Sequence, residues 1–281
     1  MQENELKALV SLLDDEDVEV SSHVEDQIIS LGSEVIPFLE KQWESSFNPD
    51  IQRRIEDLIH GLQFSLLKER LINWSETEDQ DLLEGMWLVA TYLYPDLELA
   101  NLKKEIEQIY YEIWLEFRND LTPVDQIKVL NSVLFNKLKF RANTKNFHSP
   151  SNSMLNMVLE SKRGNPITLC TIYMLLARKL DMPVYGVNLP NMFIVTYKTK
   201  DITFYINAFN RGIVFTREDI DHYLSNININ PNPRFYEPCA NIEFVKRSFR
   251  NLVVAFEKLG EYDKLDEIRS LLNSISNEDM L

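Results

Sequence analysis

The fold is decided by the stretch RGNPITLCTIYMLLARKLDMPVYGVNLPNMFIVTY, residues 163–197. From Pro166 to Leu180 it is apolar on almost every side, which is typical of a buried helix. Asn165 stands at the N-cap position of this helix, and Pro166 stands at its first helical position. After the helix the pattern changes to the β-branched and aromatic runs of strands. The stretch therefore predicts a buried helix that leads directly into a β-sheet.

The predicted sheet is small and antiparallel. Its strands are the β-branched or aromatic runs PVYGVNLP, MFIVTYK, ITFYINAF and IVFT. Short turns such as KTKD and NRG separate them, and connections this short join antiparallel neighbours.

The rest of the chain has the periodicity of helices. The segment LKALVSLLDDEDVEVSSHVEDQIISLGSEVIPFLEKQW spaces its apolar residues as amphipathic helices do, and it resembles a HEAT-like repeat. The closing segments FVKRSFRNLVVAFEKLG and EYDKLDEIRSLLNSI are similar to a tetratricopeptide-type hairpin with Gly260 at its turn.

Composition excludes several classes of function. The net charge of −15 argues against a nucleic-acid partner and against anionic membrane surfaces. With two cysteines and four histidines, the sequence predicts neither a disulfide framework nor a metal cluster. No run of eighteen apolar residues occurs, and the start MQENELK lacks the pattern of a signal peptide. We therefore expect a cytoplasmic protein without a cofactor.

A resemblance to a known family covers about Thr122 to Leu224. The segment SNSMLNMVLESKRGNPITLCTIYMLLARKLDMPVYGVNLPNMFIVTY, followed by INAFNRG, resembles the SirB1 family, a bacterial branch of the transglutaminase-like superfamily. The resemblance is carried by the RGNPI element, by the Leu-x-x-Pro turn after the helix and by Gly-Val-Asn-x-Pro. It implies a thiol-protease-like core, with a nucleophilic cysteine at the start of the buried helix and a histidine and an aspartate on adjacent strands.

The expected fold class is α+β and mostly helical. We expect three regions: a HEAT-like helical region at 1–75, a transglutaminase-like core of helices packed on the small sheet at 76–240, and a tetratricopeptide-like helical hairpin at 241–281.

The catalytic positions implied by the resemblance hold other residues in this chain. Counted residue by residue, the cysteine falls at Pro166, the histidine at Met192 and the aspartate at Asn207. Proline has no nucleophile, and the neighbours Asn165 and Ile167 supply no thiol. Methionine does not accept a proton, which leaves Asn207 no imidazole to orient. The resemblance therefore implies a non-catalytic protein that acts by binding.

Catalysis from another position is the alternative. Cys170 lies four residues after Pro166, roughly 6 Å further along the helix. A thiol buried there has a raised pKa and behaves as a small apolar side chain. The alternative is a thiol hydrolase or peptidase-like enzyme that uses Cys170 or Cys239 with His148.

The predicted binding site is the relic of the catalytic cleft. Its candidate residues carry mostly neutral amides, which suit hydrogen bonding to a peptide backbone: Asn165, Pro166, Asn191, Met192, Asn207 and Asn210. We expect a protein or peptide partner at this cleft or on an acidic N-terminal face around Asp14, Asp15, Glu16, Asp17 and Glu19. A scaffold with a filled cleft is a third interpretation.

Overall fold

The computed structural model describes residues 3–15 and 17–276. The chain forms two compact units, and the boundary between them falls between Arg70 and Leu71. The division into three regions stays a prediction. Glu16 of the predicted acidic face and residues 277–281 of the predicted hairpin region lie outside the described residues.

The first unit consists of helices around a small apolar core. Its helices are α1 (Glu3–Ser11), α2 (Val18–Ser30), α3 (Ile36–Ser45) and the beginning of α4 (Pro49–Glu76). The core is formed by the buried side chains of Val10, Leu13, Val24, Ile28, Val35, Leu39, Ile55, Leu58 and Leu62.

The acidic segment of the first unit has a local structural role. Asp17 is the N-cap of α2, and its carboxylate accepts a hydrogen bond from the backbone N–H of Glu19. A carboxylate at a helix N-terminus satisfies a free N–H and interacts favourably with the helix dipole. At least part of this acidity therefore serves to start a helix.

The second unit contains the remaining helices and all of the described strands. Its further helices are α5 (Leu82–Thr91), α6 (Leu99–Trp114), α7 (Pro123–Asn131), α8 (Leu155–Ser161), α9 (Pro166–Lys179), α10 (Arg217–Asn226), α11 (Asn241–Leu259) and α12 (Tyr262–Ser274). A wider π-helical turn, Ser132–Lys137, extends α7. Within residues 3–15 and 17–276, no helix is both long enough and apolar enough to cross a membrane.

The described residues form two sets of strands. A short parallel pair joins β1 (Arg141–Ala142) to β2 (Arg163–Gly164). The main sheet holds β3 (Val184–Leu189), β4 (Met192–Lys198), β5 (Thr203–Asn207) and β6 (Ile213–Phe215) in sequence order, with every neighbour antiparallel. The predicted fold class, a mostly helical α+β protein with a small antiparallel sheet, is confirmed.

Helix α9 lies at the centre of the second unit. From Ile167 to Ala177 every residue except Leu175 is buried. The helix contacts β3 and β4 of the sheet and also α5, α6 and α11. The prediction of a helix apolar all round is confirmed, because each side of α9 faces another element.

The closing helices α11 and α12 form a hairpin, with Gly260 at φ 72° between them as predicted. Helix α11 also contacts α5, α9 and β3. Phe244 on α11 packs against Phe193 on β4, with ring centroids 4.5 Å apart. The hairpin therefore shares its core with the sheet of the second unit.

One polar side chain joins three parts of this unit. Asn131, at the end of α7, accepts a hydrogen bond of 3.0 Å from the buried Tyr173 hydroxyl of α9. Its side-chain amide donates to the carbonyl of Gly212, between β5 and β6, over 2.8 Å. Gly212 has φ 73°, and a Cβ there would lie 2.0 Å from the Asn131 Oδ1. The turn between β5 and β6 thus depends on close contact with α7.

We expect Asn131→Ala to lower the free energy of unfolding by about 1–3 kcal/mol, because it leaves the buried Tyr173 hydroxyl without a partner. Urea denaturation followed by circular dichroism measures the loss. The comparison variant Tyr173→Phe removes the hydroxyl together with its need for a partner, and we expect a smaller loss from it. An Asn131→Ala protein as stable as the wild type would contradict this role.

Candidate functional site

A cavity of about 200 Å³ lies beside the first turn of α9. Four segments form its walls: the loop before α8, the start of α9, the beginning of β4 and the helix α11. The lining residues are Phe147, His148, Ser149, Ser153, Asn165, Pro166, Ile167, Asn191, Phe193, Arg247, Asn251 and Val254. His148, Asn191 and Val254 are solvent-exposed, so the cavity can be reached from solvent.

The RGNPI element builds the wall at the start of α9. Asn165 is only 4% exposed; its Oδ1 accepts from the backbone N–H of Thr168, and its Nδ2 donates to Ser153 Oγ, both over 3.0 Å. The Thr168 hydroxyl donates to the carbonyl of Asn152 over 2.9 Å. At Gly164, a Cβ would lie 2.6 Å from the Thr168 Oγ1. The element therefore fastens the preceding loop to α9, and most of the hydrogen-bonding capacity of Asn165 is used within the protein.

The predicted relic-cleft residues fall into two groups. Asn165, Pro166 and Asn191 line the cavity. Met192 and Asn207 contact each other instead, with 3.9 Å between Asn207 Nδ2 and Met192 Sδ. Neither Met192 nor Asn207 belongs to the described lining of the cavity.

Strand alternation explains this separation, because successive side chains on a strand point to opposite faces. Phe193 faces α11, where it contacts Phe244. Met192 points to the other face of the sheet and packs on the cluster that includes Ile220 and Leu224 of α10. The three positions that the resemblance assigns to catalysis therefore do not share one cleft: Pro166 lines the cavity, whereas Met192 and Asn207 pack together outside its described lining.

Asn207 and Asn210 close the end of β5. The Asn207 Oδ1 accepts a 3.0 Å hydrogen bond from the backbone N–H of Asn210, which caps the short 3-10 turn Ala208–Asn210. Asn210 itself is solvent-exposed. These two residues therefore form a turn, and neither belongs to the described lining of the cavity.

Both cysteines are poor nucleophiles in this environment. Cys170 is fully buried, and its thiol donates to the carbonyl of Phe193 over 3.5 Å. Burial raises the pKa of the Cys170 thiol far above its ordinary value. Burial also raises the pKa of Cys239 to about 12, and the negative charge of Glu243 contributes to that rise. At neutral pH both thiols are therefore protonated.

His148 lies at the rim of the cavity, where its ring meets the ring of Phe147 edge-on with centroids 5.1 Å apart. Cys170 is buried in the core and does not line the cavity. Among the side chains that the structure describes, no hydrogen bond joins either thiol to an imidazole. The catalytic pair required by the alternative function is not assembled.

Sequence reasoning missed the contribution of α11. Arg247, Asn251 and Val254 are spaced four and three residues apart, so they share one side of the helix and line the cavity together. This stripe lies next to the buried stripe that contains Phe244 and Ser248. The helical spacing could have indicated the stripe, but only the tertiary structure shows that it faces the start of α9.

The described residues contain no group of three or more histidines, cysteines or carboxylates that could hold a metal ion. The polar groups of the cavity are amides, hydroxyls, one imidazole and one guanidinium. Such a set can bind a ligand by hydrogen bonds and by charge.

Comparison with known proteins assigns the family. The model of the transglutaminase-like superfamily matches residues 100–250, just over half of the chain. The chain belongs to the transglutaminase-like superfamily. The matched range contains the sheet, α9 and the cavity residues on α11 up to Arg247.

Relatives of this superfamily member include a UPF0162 protein of Xylella fastidiosa, which is 32% identical over 149 residues, 52% of each chain. The UPF0162 protein YchA of Escherichia coli is 23% identical over 195 residues, 69% of this chain and 65% of YchA. Human F-box only protein 21 is 26% identical over 154 residues, 52% of this chain and 23% of that protein. The chain thus spans about half the length of the Xylella protein. No solved structure gives a significant match.

Iodoacetamide labelling of the native protein tests the state of the thiols. At pH 7.5 we expect Cys170 and Cys239 to react at least about a hundredfold more slowly than free cysteine, because thiolate is the reactive form. For Cys239, with its pKa near 12, the rate should rise about tenfold per pH unit between pH 7 and 9 as the thiolate fraction grows.

Mass spectrometry of the digested protein measures the modification of each cysteine separately. In guanidinium chloride both should react at the rate of free cysteine, which is the control. Rapid labelling of Cys170 in the native protein would be incompatible with its burial.

Proposed function

We propose that this protein is a non-catalytic, SirB1-type member of the transglutaminase-like superfamily that binds a peptide or a protein segment in the cavity beside α9. The observation that carries the proposal is the first turn of α9, where Pro166 lines the cavity and the nearest thiol on the helix is buried. The proposal keeps the partner class expected from the sequence, a protein or peptide rather than nucleic acid or membrane, and a cytoplasmic location.

The lack of a thiol in the described lining of the cavity supports the proposal. Acyl transfer by a thiol requires a thiolate that can reach the substrate. Cys170 meets neither condition, because it is fully buried and its pKa is raised by that burial. Pro166, at the cavity wall, offers no atom that could attack a carbonyl group.

The chemistry of Met192 and Asn207, which lie outside the described lining of the cavity, also supports it. In a catalytic triad an aspartate orients a histidine, which then takes the proton from the nucleophile. The 3.9 Å contact between Asn207 Nδ2 and Met192 Sδ keeps two side chains adjacent, at the positions implied by the resemblance. A thioether is no general base, however, and an uncharged amide cannot stabilise an imidazolium. The two side chains are therefore adjacent but cannot carry out the proton transfer of a catalytic triad.

The dimensions and walls of the cavity favour part of a peptide as its ligand. Its volume of about 200 Å³ is below the roughly 300–1,000 Å³ of typical small-molecule pockets. Amides and hydroxyls alternate with the apolar side chains of Phe147, Ile167, Phe193 and Val254. A peptide could place one residue or one chain end in this space while the rest of it lies on the surface.

The competing function is a thiol hydrolase that uses Cys170 or Cys239 with His148. The observation in its favour is that His148 lines the cavity. It requires a conformation in which a buried thiol reaches that imidazole, and the raised pKa of both cysteines opposes thiolate formation. Binding without catalysis is the function that the geometry supports better.

The test of the proposal is retention of peptides by the immobilised full chain. A mixed-sequence octapeptide pool is applied, and retained peptides are quantified by mass spectrometry. Val254→Trp should fill the cavity, because Val254 lines it and is 39% exposed. We expect this variant to lose at least about tenfold in retention, which corresponds to about 1.4 kcal/mol of binding free energy.

Val124→Trp is the matched control, since Val124 is a similarly exposed helical valine, at 44%, that does not line the cavity. It should retain peptides as the wild type does. Equal retention by the Val254→Trp protein would contradict binding in this cavity. Cleavage of the pool by the purified wild type would contradict the non-catalytic assignment.

A further inference from the structure

The described lining of the cavity beside α9 holds one positively charged side chain and no negatively charged one. The chain carries 44 acidic residues and 29 basic ones. The described lining nevertheless includes the guanidinium of Arg247 and the imidazole of His148 and contains no aspartate or glutamate. A cavity without carboxylates in so acidic a protein is suited to a ligand that supplies the negative charge itself.

Arg247 has no ion-pair partner among the described residues. It is half-buried on α11, and across the described residues its guanidinium forms neither an ion pair nor a hydrogen bond. Burial lowers the pKa of Arg247, and the positive charge of Arg250 lowers it further. Tyr223 and Glu243 act in the opposite direction, but the Glu243 carboxylate is engaged by Asn188 Nδ2 at 3.0 Å and by Lys246 at 3.9 Å. A carboxylate placed in the cavity would supply the ion-pair partner that this guanidinium lacks.

Two neutral donors stand beside it in the cavity wall. Asn191, in the turn just before β4, and Asn251, one turn after Arg247, both line the cavity. Within the described part of the chain, neither side-chain amide forms a hydrogen bond to another residue. Each amide can donate two N–H groups, and a carboxylate offers about four lone-pair sites. In Asn165, by contrast, both ends of the amide are already engaged.

We propose that the cavity recognises a carboxylate group of its peptide ligand, and that Arg247, assisted by Asn191 and Asn251, binds it. Arginine is suited to this role, because its planar guanidinium can donate two parallel hydrogen bonds to one carboxylate. The carboxylate belongs either to the C-terminus of the peptide or to an acidic side chain. The inference rests on the proposed peptide-binding function and specifies the ligand chemistry of that site.

The test uses three dipeptide probes and the full chain. They are N-acetyl-Gln-Phe with a free carboxylate, N-acetyl-Gln-Phe-amide without one, and N-acetyl-Glu-Phe-amide with a side-chain carboxylate. Binding is titrated by saturation-transfer NMR, which detects weak ligands. We expect at least one carboxylate probe to bind at least about tenfold more tightly than the uncharged amide. The tighter of the two identifies the source of the carboxylate.

Variants of α11 separate recognition from general charge. Arg247→Gln should abolish the preference, and Arg247→Lys should restore part of it, because lysine keeps the charge without the two-pronged geometry. Arg250→Gln is the matched control, since it removes the same charge from the same helix outside the cavity lining; it should change the preference by no more than about twofold. Circular dichroism verifies that each variant is folded.

The outcomes distinguish this inference from the proposed function. Equal binding of all three probes to the wild type, or a preference that survives Arg247→Gln, would overturn carboxylate recognition. Octapeptide retention that Val254→Trp abolishes would then still support peptide binding. If no octapeptide is retained but the free-acid or Glu probe shows the Arg247-dependent preference, the carboxylate site stands and the peptide-binding proposal fails.

Discussion

The burial of α9 between the sheet and the helices α5, α6 and α11 determines where a site can form in this protein. Every side of the helix is occupied, so only its ends approach solvent. At the last turn, Arg178 donates to Asn241 and Lys179 pairs with Glu107. The first turn, with Pro166, faces the cavity instead. Pro166, the position that the superfamily resemblance assigns to the nucleophile, therefore lies at the end of α9 that faces the cavity.

The main helices and strands could be predicted from the sequence because caps, turns and hydrophobic periodicity depend on neighbouring residues. Asn165 caps α9, and Gly260 turns the chain between α11 and α12. The change from helical to alternating periodicity likewise marked the sheet. Each of these effects depends on residues a few positions apart, so a single sequence is enough to recognise it.

The site was less predictable because its chemistry depends on distant contacts. Arg247 and Asn251 reach the cavity because α11 packs against α5, α9 and β3, where Phe244 contacts Phe193. Met192 was expected in the cleft, but the two-residue period of β4 directs it to the face that packs on α10. Asn165 lines the cavity, yet its amide serves mainly to hold the adjoining loop. A polar residue at a predicted site can thus be part of the scaffold.

Helix α11 has two roles, since it packs in the core against α9 and also forms one wall of the cavity. A ligand that contacts Arg247 and Asn251 can bind fully only where this helix is docked. Binding and docking of the C-terminal hairpin are therefore linked equilibria, and each stabilises the other. Substitutions between α11 and α12, remote from the cavity, would change ligand affinity through the fraction of molecules with a docked hairpin.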